Sequence, residues 1–324
     1  MKKRVVISIG DINGVGLELL LKNHKKIRKY CKPIYCVNLE ILKNAAKLLK
    51  LKLPKKLNTI SPKAQIPPIN PGEICAKSGA YSYASFLCAI NLVIQKKADA
   101  LVTLPIHKKA WELARVPYAG HTEALRAVIN GDLDSAYQLP TTNHTPPSII
   151  MMLGCKKLFV ALFSDHIPLK DVSSKIKVES LAKFLLDFAP HISKKPCGVL
   201  GLNPHAGDFG VLGEEDFLIK EAIETANKAL GEEIFIGPLV PDVAFIGQRF
   251  KYYVAMYHDQ GLIPLKTLYF KESINVTLNL PFIRTSVDHG SAFDIAYKNK
   301  ADSTSYLNAI KEAIFRVRRQ CWNS

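Results

Sequence analysis

Acidic residues are scarce in this chain: 28 Asp plus Glu stand against 44 Lys plus Arg, a formal charge of +16 over 324 residues. No Cys-x-x-C pair occurs among the seven cysteines at 31, 36, 75, 88, 155, 197 and 321. A zinc ribbon and a thioredoxin-type redox motif are therefore excluded, and the odd number reads as reduced, mostly buried thiols of a cytoplasmic protein. No stretch approaches the about 18 apolar residues that a membrane span needs. The start, MKKRVVISIGDINGVG, is basic but too short in its apolar part for a signal peptide, and it predicts a first β-strand. A G-x-G-x-x-G fingerprint, a P-loop, an H-x-x-x-H pair, internal repeats and low-complexity tracts are all missing.

What is present is a globular composition, 48% hydrophobic and 22% charged, with length enough for two packed cores. The positive charge invites a nucleic-acid reading. Much of it, however, falls between Lys22 and Lys63 on patterns such as LEILKNAAKLLKLKLPKK, where apolar residues recur every three or four positions and Lys fills the rest. A solvated helix face accounts for that, and no Arg-rich arm, aromatic-basic strand or Cys/His finger accompanies it.

Short β-branched runs alternate with longer helical patterns, which predicts an α/β fold with a largely parallel or mixed sheet. Strands are expected at Val5–Ile9, Pro33–Asn38, Ala100–Leu104, Ser148–Leu153, Leu158–Leu162, Cys197–Leu202 and Tyr252–Met256. Helices are expected around Leu17–Lys22, Ala80–Lys96, Thr122–Ile129, Leu169–Phe188, Glu214–Leu230 and Thr304–Arg319, with a proline-rich surface excursion at Leu53–Gly72. A chain of this type divides into two α/β lobes, although no linker marks the boundary.

Unusual polar residues follow the predicted strands. LFVALFSDHIPL places His166, GVLGLNPHAG places His205 and YVAMYHDQG places His258, each just past a strand. Ligands of open α/β sheets collect at the carboxyl ends of strands, so the three are candidates for one metal site, although each taken singly is also an ordinary loop histidine. Neutral imidazoles suit Zn²⁺ or Co²⁺, and three protein ligands leave an open position. By the same rule, the Gly10–Glu18 turn is a weak anion cradle, PIHKKA offers His107 and Lys108, and AGHTEAL sets His121 and Thr122 at a helix mouth. Thr122 is equally an N-cap. Lys266, Asn275 and Arg284 recur at nine-residue intervals in apolar surroundings, where they would meet a substrate carboxylate or phosphate, or else pair with Asp288 or Glu272.

The segments LVTLPIHKKAW, AGHTEAL, MML, LNPHAGDFGVLGEED, IGPLVPDVAF, MYHDQGLIPLK and NLPFIRTSVDHGSAFDIA, in that order, resemble the 4-hydroxythreonine-4-phosphate dehydrogenase family of pyridoxal phosphate biosynthesis. The resemblance runs from Gly10 to Ala296. It implies one family unit over residues 1–324 with an isocitrate/isopropylmalate dehydrogenase-like fold: two α/β/α lobes, the active site in the cleft between them near the interface of a homodimer. It implies NAD or NADP as hydride acceptor and a divalent metal, Zn²⁺ first, Mg²⁺ or Co²⁺ otherwise, in a site shared between subunits. Carried over by position, the metal ligands are His166, His205 and His258. The substrate contacts are His121, Thr122, Lys266, Asn275 and Arg284, and Asp242 in VPDVAF is an acid near the substrate. Asp242 and Lys266 are the alternatives for the group that takes the hydroxyl proton.

Several positions depart from the family pattern. Ile12 and Leu17 replace prolines in the first turn, Ser164 and Val243 replace threonines, and the stretch from Asp242 to His258 is shorter. The implied reaction oxidises 4-phosphohydroxy-L-threonine at C3 to 2-amino-3-oxo-4-phosphooxybutanoate, which decarboxylates to 3-amino-2-oxopropyl phosphate. The metal would acidify the hydroxyl. The rival within the fold is a dehydrogenase of threonate or erythronate 4-phosphate. The rival of another class is a basic nucleic-acid-binding protein, which would show salt-dependent binding and no metal requirement.

Overall fold

The computed structural model describes residues 2–130, 148–192 and 195–320. The chain forms two compact units, one made of Met1–Asn143 with Leu280–Ser324 and the other of His144–Asn279.

In chain order, the first unit opens with strand β1 (Arg4–Ser8), helix α1 (Gly16–Tyr30), β2 (Lys32–Cys36) and α2 (Leu39–Leu48). There follow β3 (Thr59–Ile60), α3 (Ala76–Ile94), β4 (Ala100–Thr103), α4 (Lys108–Leu113) and α5 (His121–Asn130). The second unit contributes β5 (Ile150–Gly154), β6 (Phe159–Leu162), α6 (Val172–Lys175), α7 (Val178–Phe188), β7 (Cys197–Leu200) and α8 (Glu215–Leu230). It continues with β8 (Phe235–Leu239), β9 (Tyr252–Ala255), α9 (His258–Tyr269) and β10 (Ile274–Leu278) before the chain returns to the first unit as β11 (Ile283–Val287) and α10 (Thr304–Gln320).

The first unit's strands lie parallel in the order β3-β2-β1-β4-β11. Strand side chains alternate between faces. Val6, Ile34 and Leu101 accordingly join Phe86, Ile90 and Trp111 in a core built on α3 and α4, and Trp111 Nε1 donates to Ser82 Oγ at 2.7 Å. Their neighbours Val5, Ile7 and Val102 are also fully buried, so both faces of this sheet are covered, as a parallel sheet requires. The order reverses at β1 and β4, the switch point outside which α/β sheets bind ligands.

The second unit's sheet is mixed. β10 and β6 flank β5 antiparallel to it, while β6, β9, β7 and β8 run parallel. Helix α9 packs on β6 and β9 over a core of Val160, Leu162, Tyr253, Ala255, Leu262 and Leu265. That approach depends on Gly261, where an added Cβ would lie 2.6 Å from Val160 Cγ1 and 2.9 Å from the Ala255 Cβ.

Each strand expected from the sequence is present within two residues at either end. β3, β8, β10, β11, α4 and α9 were not expected. α9 contains both Gly261 and Pro264, which break the helical pattern on paper. The helix expected over Leu169–Phe188 is three pieces: a 3-10 turn at Leu169–Asp171, then α6, then α7. Ile176 and Lys177 take extended backbone between α6 and α7, which lets Ile176 bury. The cysteines at 31, 36, 75, 88, 155 and 197 are thiols, as expected, and Cys321 lies outside the described residues. Among the described residues no helix is long and apolar enough to cross a membrane.

Candidate active-site residues

In the second unit the carboxyl ends of three parallel strands deliver the three histidines: β6 leads to His166, β7 to His205 and β9 to His258, the first residue of α9. Hydrogen bonds stitch these ends together. Ser164 N donates to Met256 O at 3.2 Å. Gln260 Oε1 accepts from Met256 N at 2.7 Å, and its Nε2 donates to Gly201 O at 2.6 Å.

His166 and His258 come together, with ring centroids 5.7 Å apart. His258 Nδ1 donates to Asp259 Oδ1 at 2.6 Å, which leaves its Nε2 as the nitrogen with an available lone pair. Two imidazoles sharing one Zn²⁺ at N–Zn of about 2.0–2.1 Å have ring centres about 5–6 Å apart. The pair therefore fits two positions of a metal site in spacing, and His258 fits one in tautomer. His205 is exposed on a separate turn, and among the described residues no three His, Cys, Asp or Glu side chains converge to hold an ion.

Two cavities adjoin this pair. One, of about 290 Å³, is lined by Asp165, His166, Val172, Tyr257, His258 and Asp259. The other, of about 910 Å³, is lined by Asp242, Phe245, Ile246, Tyr257, Asp259 and Gln260 among others. Asp242 is exposed at its edge. Lys266 lies about two turns further along α9 than His258, partly buried. Asn275 sits on β10 opposite Leu153, and its buried Oδ1 has no hydrogen-bond partner among the described residues.

In the first unit, Arg284 is 2% exposed on β11 and donates from Nη2 to Thr103 Oγ1 at the end of β4, at 2.7 Å. Burial pushes its pKa down to about 9. Burial first, and then the charge of Arg284, hold the His121 imidazole well below its ordinary value, so it is neutral at pH 7. His121 packs on the rings of Phe86 and Trp111, its buried Nε2 without a hydrogen-bond partner among the described residues. Thr122 is buried beside it in the first turn of α5. The structure thus gathers His121 and Arg284 around one electropositive, desolvated point, where an anion would be stabilised.

The Gly10–Glu18 turn is not the anion cradle expected of it. Asn13 N donates to Asp11 Oδ1, Gly14 N to Asp11 O and Val15 N to Ser291 O, so the amides that would face an anion are already used. Asp11 is itself buried, its carboxyl pKa raised chiefly by burial. His107 stacks on Phe293 at 4.8 Å, and Lys108 starts α4 in solvent.

Sequence reading left Asp259 unassigned and gave Gln260 no functional role. They are the two residues that follow His258 in the very motif that identified it, and a polar pair directly after a strand-end histidine is the signal that would have singled them out.

A family profile described as pyridoxal phosphate biosynthetic protein PdxA matches residues 29–313. The chain is 54% identical over 316 residues to the 4-hydroxythreonine-4-phosphate dehydrogenase of Sulfurimonas denitrificans, covering 97% of both chains. It is 50% identical to the enzyme of that name from Campylobacter fetus, covering 96% of this chain and 97% of that one. Among solved structures it is similar to 4-hydroxythreonine-4-phosphate dehydrogenase from Klebsiella pneumoniae, with a TM-score of 0.80 and 29% identity over 98% of each chain.

Proposed function

This chain belongs to the pyridoxal phosphate biosynthetic protein PdxA family, and on that premise we propose that it oxidises 4-phosphohydroxy-L-threonine with NAD or NADP as the diffusible hydride acceptor. The product, 2-amino-3-oxo-4-phosphooxybutanoate, is a β-keto acid and loses CO₂ to give 3-amino-2-oxopropyl phosphate. The observation that carries the reading is the full-length likeness at 54% identity to an enzyme of that name.

Arg284, with Thr103 behind it, together with His121 and Thr122, binds one anionic end of the substrate; Lys266 and Asn275 bind polar groups of it. Charge-assisted hydrogen bonds from a buried guanidinium fix both position and orientation. Neutral His121 serves there as a hydrogen-bonding group rather than a second cation. Asp242 or Lys266 takes the hydroxyl proton; comparing Asp242→Asn with Lys266→Ala decides between them, since only loss of the base removes the acidic limb of the pH–rate profile, the fall in rate as the base becomes protonated.

His166, His205 and His258 are the proposed holders of a divalent ion, Zn²⁺ or Co²⁺ by donor type and Mg²⁺ as the alternative. When bound, that ion supplies Lewis acidity that lowers the pKa of the substrate hydroxyl. Of the three, His166 and His258 stand as a pair among the described residues of one chain, which is compatible with a site completed by a second subunit.

A homodimer is part of the same proposal. Phe209 at 94% exposure, Val211 at 78%, Ile246 at 74% and Ile263 at 65% all belong to the second unit. Apolar side chains so concentrated on one unit mark an association surface. An intracellular, cytoplasmic location fits a chain whose cysteines, among the described residues, are thiols.

The test is NAD(P)H formation from 4-phosphohydroxythreonine, with and without a chelator, beside threonate and erythronate 4-phosphates. Chelator-sensitive turnover that prefers the amine-bearing substrate is expected. Preference for either analogue would transfer the chain to the rival dehydrogenase activity, and no turnover with any of them would refute the proposal.

A further inference from the structure

Two adjacent carboxylates at the start of α8 converge on Asn203, two residues before His205. Asp216, buried, accepts from Leu202 N at 2.9 Å through Oδ1, and from Asn203 N at 3.1 Å and Asn203 Nδ2 at 3.0 Å through Oδ2. Glu215 accepts from Asn203 Nδ2 at 2.8 Å through Oε2 and from Ser173 Oγ at 2.6 Å through Oε1. Ser173 lies in α6, on the segment that follows His166.

The turn these groups hold is an unusual one. His205, Ala206, Asp208 and Phe209 all have left-handed backbone, with φ of 54°, 53°, 42° and 55°. Consecutive non-glycine residues in that region are sterically strained and persist only where the surroundings over-determine them. The turn's own backbone bonds, Ala206 N to Asn203 O at 3.1 Å and Leu212 N to Gly207 O at 3.0 Å, do not reach the strand that precedes it. Asp216 supplies that connection, so closely that a Cβ on Gly201 would stand 2.4 Å from its Oδ1.

We propose that Asp216 and Glu215 are positioning residues: Asp216 holds the turn in the form that presents His205, and Glu215 ties that turn, through Asn203 and Ser173, to the segment carrying His166. The inference rests on the reading that His166 and His205 serve one metal ion. The hydrogen bonds from Ser173 and Asn203 also hold the Glu215 carboxyl below its ordinary pKa, so both bonds are charge-assisted at neutral pH.

The test uses the full-length protein and the variants Glu215→Ala, Glu215→Gln and Asp216→Ala. Two quantities are read: backbone hydrogen exchange of 202–211 and 169–175 without metal, and Co²⁺ affinity with its visible absorption spectrum. Glu215→Ala is expected to speed exchange in both segments and to weaken Co²⁺ binding about 10–100-fold with an altered spectrum, the usual range for groups that orient metal ligands. Glu215→Gln is expected to restore both, because its amide oxygen accepts from Asn203 while its NH₂ donates to Ser173 Oγ. Asp216→Ala is expected to speed exchange in 202–211 most; should it fail to fold, the two Glu215 variants decide. Unchanged exchange in Glu215→Ala, or a Gln variant as impaired as the Ala variant, overturns the proposal. Wild-type protein that binds no Co²⁺ refutes the metal reading instead, and the exchange data still judge the tie.

Discussion

His258 and Asp259, consecutive in sequence, are joined by a hydrogen bond of 2.6 Å from the imidazole Nδ1 to the carboxylate Oδ1. A carboxylate acceptor fixes the proton on Nδ1 and turns Nε2 outward, the arrangement found where a histidine ligates metal. Asp259→Asn should therefore weaken Zn²⁺ or Co²⁺ binding about 10–100-fold while leaving the fold intact, because Asp259 is largely exposed. Isothermal titration with the metal alone measures this; equal affinities in wild type and variant would remove Asp259 from the site.

Arg284 gives a prediction with a pH signature. Its folded-state pKa, about 9, lies below its ordinary value because burial disfavours the charge. Carrying that charge costs folding stability below pH 9, and the cost is relieved as pH rises from about 9 towards the unfolded-state value. A bound anion favours the charged form, so anion affinity should hold steady below pH 9 and fall as pH rises through it. Arg284→Ala should raise KM for the phosphorylated substrate about 10–100-fold, the worth of a charge-assisted bond of about 1.5–3 kcal/mol. Thermal shifts with inorganic phosphate check the pH dependence; a shift undiminished at pH 10 would contradict it.

Much of this was legible in the sequence because strand ends have a local signature. A β-branched run followed by His, Asn-Pro-His or His-Asp-Gln announces the strand and places a histidine at its carboxyl end, and β6, β7 and β9 were read that way. What escaped reading depends on partners distant in the chain. α9 tolerates Gly261 and Pro264 because β6 and β9 demand a close helix, a requirement written at Val160 and Ala255 rather than in the helix. The Gly10–Glu18 turn looked like an anion cradle because the groups that occupy its amides include the carbonyl of Ser291, far along the chain.

Gln260 bridges the ends of β9 and β7, accepting from Met256 N and donating to Gly201 O. Truncation leaves an amide and a carbonyl short of partners, and a buried unsatisfied group costs about 1–3 kcal/mol. Gln260→Ala should lower unfolding free energy in urea by about 1–3 kcal/mol, with Gln260→Glu retaining only the bond from Met256. A variant as stable as wild type would mean that water replaces both bonds.

Gly261 permits α9 to lie against the sheet, and α9 begins at His258, so packing beneath the helix sets the height of a proposed ligand. Gly261→Ala brings a Cβ to 2.6 Å from Val160 Cγ1 and 2.9 Å from the Ala255 Cβ. Overpacking of that kind costs about 1–3 kcal/mol, more than the about 0.5–1 kcal/mol that replacing a helical glycine by alanine returns. The helix should lift, so metal affinity should fall together with stability. Val160→Ala removes the nearer obstacle, and the double variant should bind metal better than Gly261→Ala alone even though Val160→Ala opens a cavity of its own. Additive effects of the two substitutions on both Co²⁺ affinity and melting temperature would show that the contact at Val160 does not govern the position of His258.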